Sequence, residues 1–292
     1  MTATRGRGGE ARHTPFVFPL PTGDRIRGDA WLPETAVPEA AIVVCHGFKG
    51  FKDWGFFPYL TEELTRRTGC VSVCFNFTGS GVGESLDTFD ELERFGRNTF
   101  TRELQDLEAV MDRLAAGRLG ELELPAARRF GLLGHSRGGA TAILKASLRS
   151  QVHSLVTWAA VASVERYQEA YAERWEAGET VYIENRRTGQ MMPLERNVLD
   201  DIRANRDRLD PRVAAAALRI PYLVLHGTAD ESVPPEDAEA LKAAAGDGAE
   251  LVWIEGGTHT MNAAHPFRGS NASLERAIEL SARRLRSDLA AG

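Results

Sequence analysis

The sequence predicts an α/β fold in which a mostly parallel central sheet is covered by helices on both faces and carries a small inserted cap. Three observations predict it. Continuous apolar runs recur at 40–45, 70–77, 129–134, 154–160, 220–227 and 250–256, each the length of a strand buried on both faces. Amphipathic stretches lie between or after them: 99–116 puts Phe100, Leu104, Leu107, Val110, Met111 and Leu114 on one stripe, and 271–289 does so with Leu274, Ile278, Ala282, Leu285 and Leu289. The alternation lapses between 162 and 215, where charge is dense and Val164, Tyr167, Tyr171 and Trp175 fall at helical spacing before VYIENRRTGQMMPL, which reads as a hairpin.

Taken in order, residues 1–14 carry Arg5, Arg7 and Arg12 with no apolar stretch behind them, and read as a flexible tail without a secretory signal. Residues 15–32 hold two alternating stretches around Thr22-Gly23-Asp24, which is hairpin chemistry. The core is expected over 15–161 and 216–292, with 162–215 as the cap. A long insertion at that point is read as a roof over the ligand end of the sheet, the alternative being an amphipathic helix that only patches the core. In a fold of this class ligands sit beyond the carboxyl ends of the strands, so the informative residues are those that follow strands.

Composition narrows the function. A chain of 292 residues buries enough surface to need no metal or disulfide for stability, and 43% hydrophobic with 26% charged residues is ordinary for a globular protein. Lys plus Arg at 35 against Asp plus Glu at 41 leaves a net charge of −6, with no basic excess for a nucleic-acid backbone. No apolar run approaches the roughly 18 residues of a membrane helix, so the expectation is a soluble, cytoplasmic protein with no membrane partner. Cys45, Cys70 and Cys74 all fall in apolar runs, which suits buried reduced thiols. No metal-ligand cluster is visible. FNFTGSGVGES (75–85) has the glycines but not the spacing of a dinucleotide or phosphate loop, so no nucleotide cofactor is expected.

GHSRGG (134–139) follows one apolar run and opens the helical stretch RGGATAILKASLR. Gly134-x-Ser136-x-Gly138 therefore stands in the strand, turn, helix context of a nucleophile elbow, where small neighbours let helix and strand approach and the hydroxyl points out over the sheet. A serine needs a general base held by a carboxylate, and in this arrangement acid and base follow the serine in that order on later loops. Of the seven histidines only His259 and His265 lie late enough, which removes His13, His46, His135, His153 and His226. His259, in EGGTHTMN just past the last strand, is the favoured base, with His265 as the alternative. Asp230, in LVLHGTADESVP, is the favoured acid because it lies on the loop itself; Glu231 and Asp237 are its neighbours. An oxyanion needs two backbone N–H donors: the residue after the nucleophile, Arg137, supplies one, and Phe48 in VVCHGFKGF supplies the other.

HGFKG, GHSRGG, HGTADESVP and GGTHTMN, in that order and each after a strand, resemble the α/β-hydrolase superfamily over roughly 15–289. Within it the chain resembles the small bacterial dienelactone-hydrolase-like and acylaminoacyl-peptidase-like serine hydrolases, especially in VVCHGFKGFKDWGFFPYLTEEL and THTMNAAHPF. The resemblance implies an α/β-hydrolase fold with Ser136 as nucleophile, Asp230 and His259 completing the triad, and the N–H groups of Phe48 and Arg137 as oxyanion hole. The expected reaction is cofactor-free cleavage of a small-molecule carboxylic ester through an acyl-enzyme. Thioesterase, amidase or peptidase, and perhydrolase activity share this machinery, and a non-catalytic binding protein is the reading from another class. Substrate contacts are expected from Phe48, Phe51, Trp54, Trp158 and Met261 beside the catalytic loops and from Tyr171 in the cap, with Tyr167 and Trp175 alongside it. Self-association as a homodimer is left open.

Overall fold

The N-terminal strands β1 (Ala11–Pro19) and β2 (Arg25–Pro33) pair antiparallel around the Thr22–Asp24 turn and form one end of the sheet. The computed structural model describes residues 10–35, 37, 39–185 and 188–290, without the side chains of 168 and 169. Strand β1 corrects the N-terminal boundary. Residues 11–14, read as tail, are paired with β2, and His13 hydrogen-bonds Asp29 at 2.8 Å. An edge strand with half its residues exposed carries little apolar signal. The rest of the expected tail, 1–9, lies outside the described residues.

The chain then runs through β3 (Ala40–Cys45), α1 (Phe57–Thr68), β4 (Val71–Asn76), α2 (Leu92–Gly96), α3 (Phe100–Ala115), the short ladder of β5 (Arg118–Leu119) with β6 (Leu122–Glu123), β7 (Arg129–His135), α4 (Arg137–Leu148) and β8 (Val152–Trp158). After α5 (Arg166–Glu176), β9 (Val181–Asn185), β10 (Gln190–Leu194), α6 (Asn197–Ala204) and α7 (Pro211–Ala217) come β11 (Tyr222–Gly227), α8 (Pro235–Ala245), β12 (Ala249–Ile254) and α9 (Ala272–Ala290). The eight-stranded sheet has the order β1-β2-β4-β3-β7-β8-β11-β12, parallel from β4 onward. Every residue of β3, β4 and β11 is buried, as their unbroken apolar runs require. Helices α1 and α9 pack together on one face, and α3, α4, α7 and α8 pack in series on the other.

Local chemistry sets the boundaries. Thr99 accepts the Arg102 N–H to start α3, Gly69 in the left-handed region (φ 74°) ends α1, and Asp210 caps α7 ahead of Pro211. Between β8 and β11, α5, the antiparallel β9–β10 hairpin and α6 bring Trp175, Val181, Met192, Leu199 and Ile202 into the hydrophobic core. Helix α7 packs against α4 and α8, so the core layer resumes at Pro211 and the boundary drawn at 215 falls inside a helix. Cys45, Cys70 and Cys74 are free and buried. Among the described residues no helix is long and apolar enough to cross a membrane.

Candidate active site

Ser136 stands between β7 and α4 at φ 56° and ψ −122°, a backbone state that side-chain-bearing residues avoid. The strain is held by its surroundings: its N–H donates to Trp158 O (2.9 Å) and its carbonyl accepts from Gly139 N–H (2.9 Å). A Cβ at Gly134 would meet Gly138 O at 2.3 Å, and one at Gly138 would meet His46 O at 2.3 Å. No other residue lets strand, turn and the loop after β3 approach so closely.

Asp230 lies on the loop after β11 with its side chain fully enclosed. Its Oδ1 accepts the N–H groups of Ser232 (2.7 Å) and Val233 (3.0 Å), and its Oδ2 accepts from His259 Nδ1 at 2.9 Å. Burial alone would raise this carboxyl; the bond and charge of His259 and the two loop N–H groups outweigh it and hold the carboxyl below its ordinary value. With Nδ1–H committed to Asp230, the His259 Nε2 is the ring's acceptor, and 22% of the side chain remains exposed. The two loops are pressed together: Ala229 N–H donates to Gly257 O (2.9 Å), and a Cβ on Gly227 would meet that same oxygen at 2.1 Å.

The link between this pair and the elbow is His135, which sequence order had only excluded as base. Its Nε2–H donates to His259 O at 2.8 Å and the two rings lie 4.7 Å apart, so the residue preceding Ser136 holds the histidine loop. The alternatives are occupied elsewhere. His265 Nδ1 accepts the Gly55 N–H (2.9 Å) with its ring stacked on Trp54, Asp237 Oδ2 accepts the Ala162 N–H (3.1 Å), and Glu231 is exposed.

Among the described residues neither the Phe48 nor the Arg137 backbone N–H has a protein acceptor, as a pair left for an oxyanion requires. The Phe48 loop is anchored by Lys52, whose N–H donates to Asn76 Oδ1 (2.6 Å) and whose ammonium is clasped by Asp29 and, at 2.7 Å, Asp53. Burial alone would lower that ammonium, but the two carboxylates overcome it and raise its pKa.

The expected substrate contacts divide. Phe48 is half-buried, 5.3 Å from Tyr167, which stacks on Tyr171 at 6.4 Å, so these three rings run from the Phe48 loop onto α5. Trp158 and Met261 are fully enclosed, which corrects their assignment as walls; the Trp158 indole N–H donates to Ser281 Oγ of α9 (2.9 Å). Trp175 is likewise enclosed, and its indole N–H donates to Leu194 O at the end of β10. Phe51 and Trp54 keep 2% and 5% of their surface and pack around His265, so they too are core rather than wall.

Sequence reasoning missed Glu103. Buried on α3, it accepts from Arg137 Nε (2.7 Å), Asn98 Nδ2 (2.7 Å) and Thr141 Oγ1 (2.8 Å). The signal was an acid in line with the apolar stripe, three residues after Phe100 and four before Leu107.

The sequence matches the model of the alpha/beta hydrolase family over residues 42–270. Comparison with curated proteins gives no match. Similar solved structures include Est1E from Butyrivibrio proteoclasticus (TM-score 0.66, 18% identity, covering 94% of this chain and 99% of that one). The esterase domain of a Rhodothermus marinus protein is similar at TM-score 0.64 and 20% identity, over 94% of this chain and 98% of that one. A puromycin-hydrolyzing peptidase of Mycobacterium tuberculosis aligns at TM-score 0.66 and 18% identity, over 96% of this chain but 39% of its own. These likenesses show the fold, and the family match over most of the length makes the chain a member of the alpha/beta hydrolase family.

Proposed function

We propose that this chain is a serine hydrolase that cleaves carboxylic esters of small molecules through an acyl-enzyme. The observation that carries the reading is the Asp230–His259 pair at 2.9 Å, held through His135 against the strained turn that bears Ser136. In this scheme Ser136 Oγ attacks the ester carbonyl and passes its proton to His259 Nε2, while Asp230 keeps Nδ1–H in place and stabilises the imidazolium. The backbone N–H groups of Phe48 and Arg137 receive the oxyanion. His259 returns the proton to the leaving alcohol, and water repeats the sequence to release the acid. Phe48 and Tyr171 are assigned to the acyl side, with Tyr167 between them. The structures of similar fold include both an esterase domain and a peptidase, so amide hydrolysis is the second activity against which the ester reading is tested.

The test is labelling by a fluorophosphonate together with turnover of 4-nitrophenyl acetate. The wild-type chain labels and hydrolyses; Ser136→Ala does neither while keeping its circular dichroism spectrum. An unlabelled wild type, or a Ser136→Ala variant with wild-type turnover, overturns the assignment. A higher kcat/KM on 4-nitroacetanilide than on the ester overturns the ester preference alone.

A further inference from the structure

The scheme above uses only the backbone of Arg137, yet its side chain is built into the site. The guanidinium carbon sits 3.8 Å from the centre of the Phe100 ring and 5.8 Å from that of Phe48. Its Nε–H donates to Glu103, whose carboxylate is already taken up by Arg137, Asn98 and Thr141. Nη2 is buried and has no hydrogen-bond partner among the described residues. A charged donor left unmet in a buried position is costly, and a rigid fork fixed at one end presents its other donor in a defined direction.

The direction relates to the chemistry. Arg137 touches the Phe48 loop and α3, whereas His259 is held by His135 and Asp230. The leaving alcohol must receive its proton from His259 and so occupies the histidine side, which sends the acyl chain towards Phe48, Tyr167 and Arg137. Burial pushes the Tyr167 phenol up, and the charges of Arg166 and Arg137 pull it part of the way back, so the guanidinium is felt at the cap helix as well. Because Nη2 is buried, an acyl group that reaches it must displace a side chain packed nearby, and the half-buried Phe48, its ring centre 5.8 Å from the guanidinium carbon, is the neighbour on that side.

We infer that Arg137 is a specificity residue whose free Nη2 donates to an oxygen acceptor on the acyl half of the substrate, so that the preferred esters are those of short acids bearing a neutral ether, hydroxyl or carbonyl oxygen. This rests on the serine esterase reading. The acceptor is neutral because Glu103 already balances the Arg137 charge, and a second carboxylate would bring an uncompensated anion into the same buried space.

The experiment compares 4-nitrophenyl methoxyacetate with 4-nitrophenyl butyrate, which differ by one oxygen in place of one methylene. Dividing each kcat/KM by the ester's rate of hydroxide hydrolysis removes intrinsic reactivity. The wild-type ratio favours methoxyacetate by about tenfold or more, the value of a hydrogen bond from a charged donor. Arg137→Met brings the ratio to about one, and any general damage to the elbow cancels because both esters suffer it. Arg137→Lys, which keeps the charge without the fork, lowers the ratio as well, and the wild-type ratio stands as a test if neither variant folds. A wild-type ratio near one, a ratio unchanged by both substitutions, or a preference for the anionic 4-nitrophenyl hemisuccinate overturns the inference. Absence of fluorophosphonate labelling in the wild type overturns the esterase reading instead.

Discussion

Replacing Asp230 by asparagine separates the acid's role in tautomer control from its role in packing. In the wild type Oδ1 receives two loop N–H groups and Oδ2 receives His259 Nδ1–H, all with the side chain enclosed. Asparagine has one oxygen. If that oxygen stays with Ser232 and Val233, the amide NH₂ faces His259 and the ring must turn its proton to Nε2, which leaves no base for Ser136. If the oxygen faces His259 instead, the part-buried Val233 N–H is orphaned at about 1–3 kcal/mol, while the exposed Ser232 N–H turns to water at little cost. The first arrangement therefore dominates, and restoring the active tautomer costs about 1–3 kcal/mol from that donor alone. A fall of about 10⁴-fold in kcat, as seen when such a carboxylate becomes an amide elsewhere, corresponds to about 5 kcal/mol.

The assay is kcat for 4-nitrophenyl acetate with wild type and Asp230→Asn, paired with thermal unfolding at pH 7 and pH 3. Because the folded-state pKa of Asp230 is depressed, the stability it contributes is fully present above the ordinary Asp value of about 4 and is lost as pH falls through the folded value. The stability gap between the two proteins accordingly narrows at pH 3. A variant that keeps more than a tenth of wild-type kcat would refute the tautomer argument, and with it the place of Asp230 in the triad.

Other perturbations follow the same geometry. His259→Ala loses activity by three or more orders of magnitude, on the order of other triad deletions, whereas His265→Ala, which removes an acceptor for Gly55 N–H and a ring packed against Phe51 and Trp54, stays within about tenfold; kinetics with the reverse order would move the base. A Cβ at Gly47 meets Ser136 Cβ at 2.9 Å and His135 O at 3.0 Å. Gly47→Ala must therefore shift the nucleophile and lower kcat about a hundredfold with little change in KM, and an unchanged kcat counts against the elbow's rigidity. Burial pushes Asp106 up to about 7 against the Thr78 N–H and hydroxyl bonds and the Arg102 charge, with Glu103 adding to the rise. A raised carboxyl destabilises as pH rises from about 4 through about 7, by at most roughly 4 kcal/mol, so Asp106→Asn gains stability over wild type at pH 8 but not at pH 4. Parallel unfolding curves at both pH values would contradict that sign.

What was legible in the sequence and what was not divides by the range of the forces involved. The run at 40–45 became β3 residue for residue, and the GHSRGG string became a turn at φ 56°, because an unbroken apolar run and a set of glycines act on their own few residues of backbone. Chain order did the same for the late acid and histidine, which the loops after β11 and β12 bring to 2.9 Å. Depth was not legible. Trp158 ends a strand as a wall residue would, yet its indole is claimed by Ser281, 123 residues away, and Trp175 is claimed by a hairpin carbonyl. An aromatic side chain is equally at home in a core or beside a ligand, so its position is decided by which distant helix reaches it first. Buried charge shows the same limit: nothing local to Lys52 announces the distant carboxylate on β2, and the place of Glu103 in line with the apolar stripe does not announce the arginine of α4 that pairs with it. Arg137 stands on both sides of the division. Its backbone is dictated by the motif around it, while its guanidinium is directed by an acid 34 positions earlier, a long-range bond that leaves Nη2 buried without a partner among the described residues.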